Sequence, residues 1–268
     1  MNIDKLVIDE DDKAYRDDLK GEALAIRGLA LFDLTRIFGY PYLKDDGASL
    51  GVPIIEGLST IDSKPTRNTV AQCYTKIIDD LTQSLSLLGE KFNKGKINKW
   101  GAMVLLSRVY LYKGENANAL KMASDAIIGA EKNKYALWTH EDYPTAWGED
   151  ASASKPGEVL FEIVNLTTDS PGKESMGYLN SYDGYDDMCI TCSFYQFLKE
   201  DPKDIRLKLL SFDKKYYAYV NKYQPQREEN IEDANIPLIR LSEAYLNAAE
   251  AAVKELSLIH ISEPTRPY

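Results

Sequence analysis

One helical motif occurs twice in this chain, at positions far apart. Leu106-Ser-Arg-Val-Tyr-Leu111 and Leu241-Ser-Glu-Ala-Tyr-Leu246 share the pattern L-S-x-[VA]-Y-L. Each copy lies in a stretch whose apolar residues recur every three or four positions, the period of one face of an α-helix. Short helical units of this kind bury their apolar faces only by stacking on neighbours. The copies are not tandem, because a long segment of different texture separates them. Stacked helices with a large insertion are therefore predicted.

Four helices are predicted ahead of the insertion. The first runs from about Asp17 to Phe38, with Leu19, Ala23, Ile26, Ala30, Leu34 and Ile37 as its apolar face. Gly39, at a C′ position, and Pro41 end it. A Gly- and Pro-rich loop extends to about Pro65. The second covers Val70 to Leu88, and Thr69-Val-Ala-Gln72 has capping-box spacing at its start. Asn98 caps a third through Tyr112, Gly114-Glu-Asn116 makes a turn, and a fourth covers Ala117 to about Ala130. The last two fit the tetratricopeptide hairpin pattern, with Met103-x-x-Leu106-Ser107-x-x-Tyr110 followed by Ala119-x-x-x-Ala123. Met stands where the pattern has Trp and Ala where it has Phe, so the repeat is degenerate. Leu238-x-x-Leu241-Ser242-x-x-Tyr245 repeats the spacing and predicts a helix there.

The insertion, about Asn133 to Asn235, holds Trp138, Trp147 and many tyrosines. Glu158–Val164 and Lys215–Val220 read as short strands, while Ser193–Lys199 and Lys203–Leu210 read as short helices. The expected fold class is mainly α, with tetratricopeptide-like helical hairpins carrying an inserted loop-rich mixed subdomain. The expected segments are 1–132 (helical hairpins), 133–235 (the insertion), 236–255 (the start of the last repeat) and 256–268. Within the last of these, Leu256-Ser-Leu-Ile-His-Ile-Ser-Glu-Pro-Thr-Arg266 resembles the translation of a transposase adapter used in DNA sequencing libraries. The natural sequence is accordingly expected to stop near Lys254 or Glu255.

Composition narrows the function. With 44% hydrophobic and 28% charged residues in 268, the chain lies in the folded, not the disordered, range. The net charge of -10, with Lys and Arg scattered among acids, gives no footprint for nucleic acid. Asp9-Glu10-Asp11-Asp12 reads as a solvated lead-in. Cys73 falls on a helix face as a small buried residue. Cys189-Ile-Thr-Cys192 has CxxC spacing, but a thioredoxin-like role needs a βαβ context and zinc needs two more ligands. An incidental loop pair or a local disulfide is expected, and no metal or cofactor. No nucleophile elbow, phosphate-cradling loop or HExxH helix occurs, so the chain is not expected to be an enzyme. A hydrolase would need two carboxylates about 5–10 Å apart.

Four blocks, in order, resemble the SusD/RagB family. They are Gly21–Arg27 leading to Phe32–Gly39; Val70–Leu88 with Tyr74-Thr-Lys-Ile-Ile-Asp-Asp-Leu81; Lys99-Trp100 with Leu105–Tyr112; and Ile236–Ala251. Asp201-Pro-Lys-Asp-Ile-Arg206 matches a family habit ahead of the last block. The resemblance implies tetratricopeptide-like pairs supporting a variable subdomain. It also implies a lipid-anchored protein of the outer membrane and cell surface in Bacteroidetes-type cells. Such proteins capture oligosaccharides, or peptides in some branches, for a SusC-like TonB-dependent transporter. The lipid-attachment segment and material after the last helix are expected to lie outside this sequence.

Sugars stack their C–H faces on aromatic rings and take hydrogen bonds from amides, carboxylates and hydroxyls. The candidate ligand-binding residues are therefore Trp138, Tyr143, Trp147, Tyr178, Tyr182 and Tyr185, with Asn180, Asp183 and Asp186 as polar neighbours. Each ring could equally anchor a loop to a core, and Trp100, at a helix start, is expected to pack. The alternative reading is a cytosolic tetratricopeptide-type adaptor that binds a peptide.

Overall fold

The computed structural model describes residues 2–5, 9–57, 60–148, 156–166, 168–185, 188–213, 217–225 and 230–262. Its helices are α1 (Lys13–Phe38), α2 (Val70–Leu87), α3 (Lys99–Lys113), α4 (Asn116–Lys132), α5 (Met176–Asn180), α6 (Cys192–Lys199) and α7 (Leu241–Ser262). Its strands are β1 (Val159–Ile163), β2 (Leu210–Phe212), β3 (Ala218–Val220) and β4 (Ile236–Arg240). The fold is mainly α, as expected. Two compact units emerge, one of residues 1–92, 96–133 and 239–268, the other of 93–95 and 134–238. No helix among the described residues is long and apolar enough to cross a membrane.

Local chemistry sets the helix ends of the first unit. The Thr69 hydroxyl accepts the Gln72 N–H at 3.2 Å, and the Gln72 side chain accepts the Thr69 N–H at 2.9 Å, which completes the capping box. The Asn98 side chain accepts the Gly101 N–H at 3.0 Å and starts α3. Gly114, at φ 84°, ends it in the left-handed conformation that glycine adopts without strain.

The buried face of α1 is not the predicted one. Gly21, Leu24, Ala25, Gly28, Leu31, Phe32 and Thr35 are buried, whereas Ile26, Leu34 and Ile37 are 47%, 46% and 69% exposed. Apolar residues run almost all round α1, so periodicity alone does not choose the stripe. The glycines choose it. A Cβ at Gly28 would lie 3.0 Å from Leu81 Cγ, and one at Gly21 would lie 2.9 Å from Leu88 Cγ. Only that face lets α1 come this close to α2. Gly39 also differs from expectation: its backbone is extended (φ -104°), and its lack of a side chain admits Thr35 O and Val70 instead.

A bidentate ion pair crosses the α1–α2 contact. Arg27 Nε and its terminal nitrogen each donate to the Asp80 carboxylate at 2.6 Å, and Lys76 Nζ lies 3.2 Å from it. Asp80 is fully buried. Nearby, Tyr74 packs edge-on against Phe32, and burial pushes its phenol pKa up to about 12.

α3 and α4 form the expected hairpin, with Ala119, Ala123, Ala126 and Ala130 all buried on α4. Trp100 packs, as expected, and it packs onto Gly129. α7 then lies on α4 and α3, although the second unit's residues intervene in sequence. Arg108 donates to Glu243 through Nε at 2.5 Å and a terminal nitrogen at 2.7 Å. The Asn247 amide donates to the buried Ser107 hydroxyl at 2.9 Å.

The helix predicted to include Leu238 begins only at Leu241. Ile236–Arg240 is strand β4, paired with β1. Pro237 lacks an N–H and biases Ile236 towards extended backbone, so the helix starts after it. In the second unit Lys203–Leu210 forms a 3₁₀ turn, Ile205–Leu209, instead of an α-helix. Strand β2 follows and pairs antiparallel with β3 through Leu210↔Val220, Ser211↔Tyr219 and Phe212↔Ala218. Of the strand predicted over Lys215–Val220, residues 214–216 lie outside the described residues, and β3 starts at Ala218. The predicted alternation of β1 is replaced by burial of Val159 through Glu162. The segment 256–268, expected to be a non-native tail, continues α7 to Ser262, and 263–268 lie outside the described residues.

Gly129 provides a test of the close helix approach. A Cβ there would lie 2.1 Å from the Trp100 indole, whereas one at Gly57 would meet nothing within 4 Å. Gly129→Ala is expected to cost about 1–3 kcal/mol in urea unfolding through overpacking, and Gly57→Ala about none.

Candidate functional site

The six aromatic candidates lie in the second unit and fall into two groups. Trp138, Tyr143 and Trp147 are carried by a loop that folds on itself. The Thr139 hydroxyl accepts the Asp142 N–H at 3.1 Å and donates to the Asp142 carboxylate at 2.6 Å, while the Tyr143 N–H donates to Thr139 O at 3.0 Å. These bonds turn the three rings towards one another. Trp138 and Trp147 meet edge-on with centroids 4.9 Å apart, and Tyr143 lies 5.7 Å from Trp147. Lys222 Nζ stands 4.3 Å from the Trp147 ring centroid. Trp147 is only 4% exposed, whereas Trp138 and Tyr143 are half-buried, so the three rings spend much of their surface on one another.

The second group is open. Ser175 caps α5 by accepting the Tyr178 N–H at 3.1 Å, and the chain then turns back at Gly184. The Gly184 N–H donates to Ser181 O at 3.0 Å, and the Tyr185 N–H to Tyr178 O at 3.3 Å. A Cβ at Gly184 would lie 1.9 Å from that same Tyr178 oxygen, so the turn requires glycine. Tyr185 packs edge-on against half-buried Tyr178 at 5.2 Å, and Tyr182 leans on buried Tyr219 at 6.0 Å. Each outer ring keeps a free side, since Tyr182 is 42% and Tyr185 46% exposed. Asp183 is exposed beside them, and Asp186 lies outside the described residues.

Polar groups gather next to this turn. Asn180, Ser181, Ser211, Asn221 and Tyr223 line a cavity of about 30 Å³. That volume suits a water molecule and not a sugar ring, so a ring-shaped ligand would have to lie outside, on the tyrosines. One segment serves both groups: Tyr219 backs Tyr182, Lys222 covers Trp147, and the Gln224 amide donates to Pro144 O at 2.6 Å. Sequence reasoning missed Tyr219, Asn221 and Tyr223. Only Tyr219 lies in the strand predicted over Lys215–Val220, which did not reveal the ring it would meet, and Asn221 and Tyr223 fall beyond it. Among the described residues no group of three or more His, Cys, Asp or Glu is placed to hold a metal.

Fold and site together define a helical-repeat protein whose second unit displays an aromatic surface. Comparison with known proteins identifies the family. The profile of a SusD-like family, described as starch-binding and associating with the outer membrane, matches residues 1–111. A provisionally assigned sugar binding protein from Bacteroides vulgatus is 80% identical, with a TM-score of 0.90 over 95% of this chain and 57% of its own. A SusD superfamily protein from Bacteroides thetaiotaomicron is 37% identical, with a TM-score of 0.83 over 97% of this chain and 59% of its own. Another from Bacteroides vulgatus is 39% identical, with a TM-score of 0.84 over 94% of this chain and 58% of its own. No curated protein is significantly similar. The chain belongs to the SusD/RagB family, and it spans less than two thirds of the length of these relatives.

Gly184→Ala tests the turn. Because the obstructing atom is backbone, no rotamer change relieves the clash, and the turn is expected to open. Amide exchange at position 184 and at Tyr185 should rise about tenfold or more while exchange in α2 and α3 stays unchanged.

Proposed function

We propose that the protein binds an oligosaccharide on the exposed rings of Tyr182 and Tyr185. From a lipid-anchored position at the cell surface it delivers that ligand to a SusC-like TonB-dependent outer-membrane transporter. The observation that carries this reading is the pair of outward rings held on a glycine-locked turn, with amides and hydroxyls alongside. Rings supply the stacking face that a pyranose C–H surface prefers, and Asn180, Ser181 and Asn221 supply directional hydrogen bonds. Trp138, Tyr143 and Trp147 act by holding the adjoining loop, and Tyr178 by supporting Tyr185. The family description, which names starch binding and the outer membrane, supports the ligand class and the location. It also favours this reading over a cytosolic peptide adaptor. The net charge of -10 favours neutral over strongly anionic glycans.

Titration calorimetry against a panel of neutral oligosaccharides tests the site. Tyr182→Ala and Tyr185→Ala are each expected to weaken Kd by about 5- to 30-fold, equivalent to about 1–2 kcal/mol, without lowering the unfolding midpoint. Unchanged affinity in the double variant would place binding elsewhere. The transporter step is tested separately by affinity purification of the full-length protein from its native outer membrane. A TonB-dependent barrel is expected to co-purify in stoichiometric amount, and its absence would overturn the delivery role.

A further inference from the structure

The two copies of L-S-x-[VA]-Y-L are covered unequally. Leu106 and Val109 of α3 are buried, and so are Leu241 and Ala244, which hold the same places in α7. The last position differs: Leu111 is 6% exposed and Leu246 is 70% exposed. Leu111 is covered because the chain turns at Gly114 and returns as α4, which lays Ala119 against it, and Ala251 of α7 completes that cluster. Leu246 has no such cover among the described residues.

The residues on either side fix the direction in which Leu246 faces. The Tyr245 hydroxyl donates to the Glu131 carboxylate of α4, and the Asn247 amide donates to the Ser107 hydroxyl of α3. Ala244 and Ala251 are buried in the stack, so Leu246 falls on the opposite side of the helix. Ala249 and Val253 are exposed with it, Val253 at 66%. Steps of three and four residues place Leu246, Ala249 and Val253 in one row, the spacing of a seam between packed helices. Ala249 in the middle admits a close backbone, as the alanines of α4 do. Beside the row, Glu250 and Lys254 neutralise one another at 2.5 Å, so its edge does not call for a charged partner.

We propose that Leu246, Ala249 and Val253 seat a helix from the segment that follows α7 in the full-length protein, as the return helix of a second hairpin. The internal repeat favours this occupant over a second copy or another protein, because α4 already plays the same part for the first copy of the motif. The length of the relatives agrees. This chain spans 57–59% of three of them, so their chains hold further residues from which such a helix can come. The row from Leu246 to Val253 rises about 10 Å, so the covering helix needs at least about two turns. A repeat unit buries its apolar face only against a neighbour, and this helix completes the unit that α7 opens. The inference does not depend on the glycan reading, because no ligand enters it.

The test places the photo-cross-linker p-benzoylphenylalanine at position 246 of the full-length protein in its native outer membrane. Irradiation is expected to give an intramolecular cross-link, mapped by mass spectrometry to a peptide C-terminal to α7. A cross-link to a second copy, to another protein or to an earlier part of the chain would overturn the assignment, as would the absence of any cross-link. Urea unfolding gives an independent readout that needs no bulky group at the seam. Leu246→Ala is expected to lower the midpoint of the full-length protein by about 0.5 M or more, and to leave that of the 268-residue chain unchanged. An unchanged midpoint in the full-length protein would mean that Leu246 stays exposed there and would overturn the proposal.

Discussion

The pairing of Arg108 with Glu243 joins the chain on either side of the second unit's sequence. Both residues occupy the variable position of L-S-x-[VA]-Y-L, one in each copy, and they meet through two hydrogen bonds. Charge complementarity at equivalent positions makes α3 and α7 specific neighbours, and the buried Asn247–Ser107 bond fixes their register. Arg108 and Glu243 stand 135 positions apart in sequence. Loop-closure entropy grows only with the logarithm of length, so such a connection costs about 2 kcal/mol more than one of ten residues. Burial of Leu241, Ala244 and Ala251 together with a bidentate ion pair offsets a term of that size. A helical stack can therefore carry a large insertion without losing its order.

Within the stack, the controlling quantity is how closely backbones approach. Gly21 and Gly28 admit Leu88 and Leu81, and Gly129 admits the Trp100 ring. The alanines of α4 do the same along one face. These positions explain what could and could not be read from the amino acids. The capping box at Thr69, the Asn98 cap and the Gly114 stop were legible because each depends on neighbours within a few residues. The buried face of α1 was not, because large apolar residues surround that helix and the small ones decide which side is covered. The start of α7 was misplaced for a related reason. Helical spacing through Leu238 outweighed Pro237 in the reading, while in the fold β4 takes Ile236–Arg240 as the partner of β1.

The aromatic surface was half legible. Tyr182-Asp-Gly-Tyr185 shows a turn flanked by rings, and the fold uses Gly184 to lock it. That Trp138, Tyr143 and Trp147 cover one another could not be seen, since it depends on a loop closed by Thr139 and Asp142 and on Lys222 arriving from far along the chain. Tyr219 lies behind the second group. Its burial under Tyr182 turns one strand position into a support, and an alternating pattern in sequence does not say which ring it will meet.

A loop-rich unit can hold exposed rings in place only if its backbone is satisfied by other means than helices and sheets. Side chains supply them here. The Glu158 carboxylate accepts the Trp138 N–H at 3.0 Å, Asn235 accepts the Asn165 N–H at 3.0 Å, and the Asn165 amide donates to Ala234 O at 2.7 Å. Asn235 in turn donates to Glu162 at 2.9 Å, and Glu158, Glu162, Asn165 and Asn235 are all at most 5% exposed. Leaving one such buried group without its partner costs about 1–3 kcal/mol, comparable to losing a cap or a core methyl group. The polar network thus does for the second unit what glycine-mediated packing does for the first. It makes one loop arrangement preferable to its alternatives, while the Gly184–Ser181 and Tyr185–Tyr178 backbone bonds hold the turn from which Tyr182 and Tyr185 face solvent.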